Sequence, residues 1–151
     1  MSKTFTNFLC GTDSTSQTLT ASYVAGDGYG NTGGKYSGTL IISYTPAANL
    51  RNAYAILQFS YDGGTNWYDY ARGEDATGAT GEKVTTVFTQ VYCIKGTTAG
   101  ETYTRRFEVP LGDGGFDEKN EFKPCMTRLK VKEDGTTDFG TIKAVFQSFD
   151  R

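Results

Sequence analysis

Hydrophobic and polar residues alternate with a period of two along most of this chain, which is typical of β-strands with one buried face. The alternation is clearest at 101–109, where Tyr103, Arg105, Phe107 and Val109 share one face. No stretch sustains a period of 3.6, so no amphipathic helix is predicted. The pattern therefore predicts an all-β chain.

Turn-forming residues, above all glycine, separate the alternating segments. Gly26–Gly34 and 110–120 are predicted as glycine-rich loops, 72–82 as a loop of small residues, and 133–137 as a hairpin turn with an Asp-Gly signal. The predicted strands are 16–24, 35–45, 52–60, 66–71, 83–95, 101–109, 122–132 and 139–149.

About eight strands in one domain predict an antiparallel two-sheet β-sandwich with a jelly-roll-like arrangement. No block of the sequence is repeated, which excludes a propeller or a solenoid. Residues 16–151 are assigned to a single sandwich domain. Residues 1–15 are polar apart from Phe5, Phe8 and Leu9, and they are predicted to form an extended N-terminal arm. Three alternatives stay open for the arm: pairing at a sheet edge, contact with a neighbouring subunit, or a loose terminus.

Composition and charge exclude several classes of function. The formal net charge is −2 and no basic run exceeds Arg105-Arg106, so a nucleic-acid partner is not expected. No apolar run is long enough to span a membrane, and the N-terminus lacks the apolar region of a secretory signal. Histidine is absent, which excludes Ser-His-Asp and Cys-His catalysis and any His-ligated metal site. Cys10, Cys93 and Cys125 are interpreted as small core residues rather than disulfide partners.

The segment 57–70 is the most informative part of the chain, because its residues predict a hairpin of defined geometry. Gly63 and Gly64 allow positive φ angles, and the Asp62 carboxylate is placed to accept hydrogen bonds from turn N–H groups. Ser60 is expected to add a bond across the turn. Trp67 is expected to pack over the hairpin and anchor it to a core.

The spacing of Ser60, Asp62, Gly64 and Trp67 resembles the Asp-box hairpin of sialidases and related propellers. Asn66 stands where that pattern usually has threonine. The box is repeated across the blades of those enzymes, away from the active site, whereas here it occurs once. The resemblance therefore implies a structural hairpin and not a sialidase.

Residues 50–149 also resemble small β-sandwich virion proteins of tailed bacteriophages. The resemblance rests on the hairpin 57–70, the strand Thr104-Arg-Arg-Phe-Glu-Val-Pro110, the basic strand that follows and a final glycine-rich hairpin. It implies a virion protein that is made in the host cytoplasm, binds the major capsid protein or other virion proteins, and forms a homo-oligomer, with a trimer favoured. It supplies no catalytic residue and no cofactor.

Other candidate binding residues each have a plain structural alternative. Acidic residues in two loops are candidate Ca²⁺ ligands, or else solvated loop charges: Asp62, Asp69, Glu74 and Asp75, and Asp113, Asp117 and Glu118. Tyrosines near the glycine-rich segments are candidate contacts for a partner or a glycan, or else ordinary sheet residues: Tyr29, Tyr36, Tyr68 and Tyr70. Basic residues on two predicted strands form a docking patch for an acidic shell surface if those strands are neighbours, or else an ordinary solvated sheet face: Arg105, Arg106, Arg128, Lys130 and Lys132.

The leading hypothesis is a non-enzymatic phage structural protein, specifically a capsid decoration protein that stabilises the shell. One alternative is a carbohydrate-binding or host-adhesion module of a virion. Another is a component of the neck or tail. No cofactor or metal is expected in any of these roles.

Overall fold

The structure is a computed structural model that describes residues 4–31, 35–110 and 126–150. These residues contain β-strands and no helix, so the prediction of an all-β chain is confirmed. The strands are β1 (Thr4–Cys10), β2 (Gln17–Thr18), β3 (Val24–Ala25), β4 (Gly30–Asn31), β5 (Lys35–Thr45), β6 (Arg51–Ser60), β7 (Tyr68–Asp69), β8 (Ala71–Thr77), β9 (Lys83–Thr89), β10 (Val91–Gly96), β11 (Tyr103–Pro110), β12 (Met126–Glu133) and β13 (Thr141–Asp150).

Two antiparallel sheets form the body of the protein. The first sheet has the order β1-β13-β5-β11, and β2 pairs with β13. The second sheet has the order β10-β6-β12-β3, with β4 paired to β12 and β7 paired to β6. Among the described residues, strands β8 and β9 pair only with each other and form a separate two-stranded ribbon. Within the described residues the strands outnumber the roughly eight predicted, because two-residue pairings such as β2 and β7 add to the long strands.

The hydrophobic core lies between the two sheets. Alternate residues of β5, including Leu40 and Ile42, face alternate residues of β6 and β12, including Leu57 and Leu129, and all four are fully buried. Successive side chains of a strand point to opposite faces, so the same pattern that predicts strands also predicts the core face. This packing gives the chain its β-sandwich architecture.

The N-terminal segment forms an edge strand of the first sheet. β1 pairs with β13 from Thr4 opposite Phe149 to Cys10 opposite Ala144, and Leu9 and Cys10 are fully buried. Of the three alternatives for this segment, the structure has the strand paired at a sheet edge.

Burial, with Asp27 nearby, raises the pKa of the Cys10 thiol to about 12. Cys93 lies partly exposed on β10 and is also a free thiol, whereas Cys125 lies outside the described residues.

The predicted strand at 16–24 is replaced by a crossing between the sheets. β2 pairs with β13 in the first sheet, and β3 pairs with β12 in the second. Leu19 lies between them with its side chain fully buried, and its N–H donates to the carbonyl of Gly140 at 2.9 Å. A period of two does not reveal such a change of sheet, because each half keeps its own alternation.

The predictions for 66–95 are wrong in three respects. The segment 72–82 is not a loop throughout, because 72–77 belong to β8, which pairs with β9, and only 78–82 form the turn between them. The segment 83–95 is not one strand, because Gln90 separates β9 in the ribbon from β10 in the second sheet. The second hairpin arm is the two-residue strand β7, and not all of 66–71. Glycine and acidic residues are poor strand formers, so pairing with β9 overrides local propensity in β8.

The Asp-Gly segment at 133–137 is not a hairpin turn, since it connects β12 in the second sheet to β13 in the first. Glu133, fully buried at the end of β12, organises this connection. Its carboxylate accepts the Tyr44 hydroxyl at 2.5 Å and the Gly140 N–H at 3.1 Å, and it lies 3.5 Å from Arg51 Nη1. Burial and the bond to Glu133 raise the pKa of Tyr44. One buried carboxylate therefore joins β5, β6, β12 and the start of β13.

Candidate functional site

The glycine-turn hairpin between β6 and β7 is closed by side-chain bonds to one carboxylate. Asp62 Oδ1 accepts the Ser60 hydroxyl at 2.8 Å, the Thr65 N–H at 3.0 Å and the Asn66 N–H at 2.9 Å. Asp62 Oδ2 accepts the Asn66 side-chain amide at 2.6 Å. Ser60 Oγ accepts the Gly64 N–H at 2.8 Å. Gly63 and Gly64 have φ angles of 75° and 97°, which favour glycine.

Trp67 lies on the outer face of the second sheet and not in the core between the sheets. Its side chain is partly buried, and its indole Nε1 donates to the Gly64 carbonyl at 3.1 Å. The Arg128 guanidinium stacks on its ring, with the Cζ atom 4.3 Å from the ring centroid. Trp67 therefore ties the turn to β12, while Tyr70, further along the second arm, packs against the core.

The donors around Asp62 predict a low-pH transition of the hairpin. The bonds, led by the Asn66 backbone N–H, lower the pKa of Asp62 to about 2, against about 3.9 for an unperturbed carboxyl. Because the folded-state pKa is lowered, the stabilisation is present above about pH 3.9 and is lost as the pH falls through about 2. We expect the amide signals of Thr65 and Asn66 in NMR spectra to titrate with a midpoint near 2, and to stop titrating in Asp62→Asn. A midpoint near 4 would contradict this geometry.

Three basic residues of β12 share the outer face of the second sheet with aromatic rings. Lys132 Nζ lies 4.7 Å from the ring centroid of Tyr23 and 5.6 Å from that of Tyr54. Lys130 Nζ lies 5.6 Å from the Tyr23 ring and 3.3 Å from the Asp69 carboxylate. Arg128 stacks on Trp67, and its Nε donates to Gln58 at 2.9 Å. We call this surface the basic–aromatic face; its residues are Tyr23, Tyr54, Trp67, Arg128, Lys130 and Lys132.

The two other predicted basic residues do not join this face. Arg105 and Arg106 lie on β11, which belongs to the first sheet, so the five basic residues divide between two sheets. Arg106 pairs with the exposed Glu108, and Arg105 lies over the Phe107 ring. The sequence predicts the three residues of β12 but not Tyr23 and Tyr54, because their approach to Lys132 depends on strand order.

The candidate tyrosines are separated by the fold. Tyr70 is partly buried and packs edge-on against Phe59, with 5.8 Å between the ring centroids. Tyr68 is 58% exposed and its ring lies 6.5 Å from that of Tyr61. Tyr29 is 66% exposed and lies elsewhere, at the rim of a pocket beside Asp62. The side chain of Tyr36 lies outside the described residues.

Asp62 and Asp69, the acidic candidates whose side chains the structure describes, do not converge on a metal site. Asp62 is surrounded by its turn donors, and Asp69 pairs with Lys130 and with the Gln58 amide at 2.7 Å. Within residues 4–31, 35–110 and 126–150 no group of three or more His, Cys, Asp or Glu residues is placed to hold a metal ion. The side chains of Glu74 and Asp75, and the residues Asp113, Asp117 and Glu118, lie outside the described part.

The β8–β9 ribbon projects from the second sheet and exposes apolar side chains on both of its faces. Val84 and Phe88 share one face, where they are 42% and 44% exposed, and Val87 on the other face is 69% exposed. A two-stranded ribbon of this kind is marginally stable by itself. The ribbon is thus a second candidate contact surface.

No protein-family model matches the chain, and no curated protein matches it. In the described part of the chain, no helix has the length and hydropathy needed to cross a lipid bilayer.

Proposed function

We propose that this chain is a non-enzymatic structural protein of a tailed-bacteriophage particle, and that it binds the major capsid protein as a decoration protein that stabilises the shell. The resemblance of residues 50–149 to small virion proteins motivates the proposal. The basic–aromatic face is the observation that carries it. The protein would be made in the host cytoplasm and would act in the virion, without a cofactor.

The strand order supports the jelly-roll arrangement within this proposal. Eight strands nest as four antiparallel pairs, from the outermost pair in sequence to the innermost: β1 with β13, β3 with β12, β5 with β11, and β6 with β10. In chain order, successive members of these eight strands lie in opposite sheets, except β6 and β10, which both lie in the second sheet. A long hairpin wound around a core has this order. Jelly rolls of this kind occur in viral capsid and lectin domains.

The basic–aromatic face has the chemistry of a docking surface. Aromatic residues and arginine are enriched at protein interfaces, and the aromatic rings here hold the three cations in place. The chain as a whole carries a net charge of −2, so the three cations on β12 form a local positive patch on a chain whose net charge is negative. Complementarity of charge then favours an acidic partner surface, and we propose that this surface belongs to the shell.

Reversing one charge on this face tests the docking proposal. Lys132→Glu is expected to weaken co-sedimentation with purified empty shells by about tenfold, because an acid replaces a cation in the contact. Lys143→Glu is the matched control, since Lys143 lies on the outer face of the first sheet. Added salt is expected to weaken binding of the wild type. Equal binding by both variants would contradict the assignment of the face.

The β8–β9 ribbon supports the proposal of a symmetric oligomer, with a trimer favoured. Contact with a neighbouring copy would bury Val84, Val87 and Phe88 and would stabilise a ribbon that is marginal by itself. Sedimentation equilibrium of the purified chain is expected to show an oligomer, and the double variant Val87→Asp, Phe88→Asp a smaller species. A wild type that stays monomeric at high concentration would contradict this part of the proposal.

A further inference from the structure

A pocket of about 530 Å³ opens between β1, β4 and the glycine-turn hairpin. Its described lining includes Asn7, Tyr29, Asn31, Asp62 and Met126. The volume falls within the range of small-molecule binding sites. None of the docking or oligomer contacts proposed above uses this pocket.

The lining combines one exposed aromatic ring with a few polar groups. Tyr29 presents a ring that is 66% exposed, and Met126 adds apolar surface. Asn7 and Asn31 supply two amide side chains, each of which can both donate and accept hydrogen bonds. The Asn7 side chain is held against Gly30, where a Cβ atom would lie 2.9 Å from it. A ring beside amides suits a ligand that has both apolar C–H faces and hydroxyl groups.

Asp62 contributes an acceptor that the hairpin fixes in position. Its Oδ1 already accepts three donors, whereas its Oδ2 accepts one, from the Asn66 amide at 2.6 Å. A carboxylate has about four lone-pair sites, so Oδ2 keeps capacity for a donor from a ligand. The hydrogen bonds of the turn are already formed in the unliganded chain. Binding of a ligand therefore loses no conformational entropy in ordering the turn.

We propose that this pocket binds a neutral saccharide, with Tyr29 stacked on a sugar ring and Asp62 and the two asparagines bonded to its hydroxyl groups. An anionic ligand would meet the Asp62 carboxylate, and the described lining contains no lysine or arginine to offset that charge. The described lining does not include Tyr68 or Tyr70, so Tyr29 is the one candidate tyrosine with a described side chain that takes part. The inference is independent of the proposed role on the shell.

The test is an NMR titration of the labelled chain with neutral oligosaccharides of glucose, galactose and N-acetylglucosamine, and with a sialylated oligosaccharide for comparison. At least one neutral oligosaccharide is expected to shift the amide signals of Asn7, Tyr29 and Asn31. Tyr29→Ala is expected to weaken that binding about tenfold, while Tyr29→Phe keeps the ring and most of the affinity. Tyr68→Ala is the matched control, because Tyr68 is similarly exposed but lies outside the described lining of the pocket.

The proposal is overturned if no neutral oligosaccharide shifts these signals at millimolar concentration, or if the sialylated one binds more tightly. It is also overturned if Tyr29→Ala binds as well as the wild type, or if Tyr68→Ala loses as much affinity as Tyr29→Ala. Melting curves of the variants show whether a loss of binding reflects unfolding; Tyr29→Phe then provides the comparison that retains the fold.

Discussion

Replacing Glu133 by alanine is expected to lower the free energy of unfolding by about 3–5 kcal/mol. The side chain is fully buried, and its removal leaves the Tyr44 hydroxyl and the Gly140 N–H without their acceptor. Arg51 would lose its carboxylate partner, although it would keep its bonds to the carbonyls of Asp134 and Thr137. A small domain has a total stability of about 5–15 kcal/mol, so this loss is a large part of it.

Chemical denaturation measures the effect of the Glu133 change. Glu108→Ala is the comparison variant, because the Glu108 side chain is 74% exposed. Its loss removes the acceptor of the Thr39 hydroxyl at 3.1 Å and is expected to cost about 1 kcal/mol. Tyr44→Phe is expected to cost about 1–3 kcal/mol, since it leaves the buried carboxylate short of one donor. If Glu133→Ala proved no more destabilising than Glu108→Ala, the buried network would not hold the two sheets together.

The second large loss of stability is expected from a substitution at Gly38, in the first sheet. Gly38 on β5 lies beside Phe146 on β13, which is fully buried, and a Cβ atom at position 38 would overlap the Phe146 ring. Gly38→Ala is therefore expected to destabilise the protein by about 1–3 kcal/mol, as overpacking does in other cores. The φ angle of Gly38 is not the reason, because this glycine is not among those with positive φ.

A double-mutant cycle distinguishes overlap from other causes. Phe146→Leu removes the ring that occupies the space, so Gly38→Ala is expected to cost about 1 kcal/mol less in that background than in the wild type. Denaturant midpoints with an unchanged slope would report the difference as a change in stability alone. Additive costs would show that Gly38 is needed for a reason other than the Phe146 ring.

The sequence predicts the bounds of two long strands well. The predicted 35–45 has the bounds of β5, and the predicted 52–60 differs from β6 only at Arg51. β6 buries the face that its alternation predicts, including Leu57 and Phe59. The consecutive Leu40, Ile41 and Ile42 instead indicate a β5 covered on both faces, and there Ile41 is only partly buried. A side-chain period of two predicts which residues of a strand face the core, because a strand with one buried face places its apolar residues at alternate positions.

The sequence does not predict which strands are neighbours. Alternation runs through 83–95 without a break, yet the chain leaves the ribbon for the second sheet at Gln90, where its N–H donates to the Tyr70 carbonyl. The Asp-Gly signal at 134–135 describes only the local backbone. It cannot show that β12 pairs with β6 and β3 and not with the strand that follows it. Period and turn chemistry describe one segment, whereas sheet membership depends on segments far apart in the chain.

The same limit applies to the candidate sites. The bonds from Ser60 and Asp62 lie within a few residues, so their spacing is enough to predict the turn. The division of the basic residues and the pocket at Tyr29 depend on strand order, since Tyr29 and Asp62 are brought together by different strands that flank β12.

The most direct test of the central claim is the protein composition of purified phage particles from a host that expresses this chain with its neighbouring genes. Quantitative mass spectrometry is expected to find the chain in the particle, at a copy number proportional to that of the major capsid protein. A copy number that matches a single ring would favour the neck or tail instead. Particles that lack the chain altogether would contradict the claim that it is a structural protein of the virion.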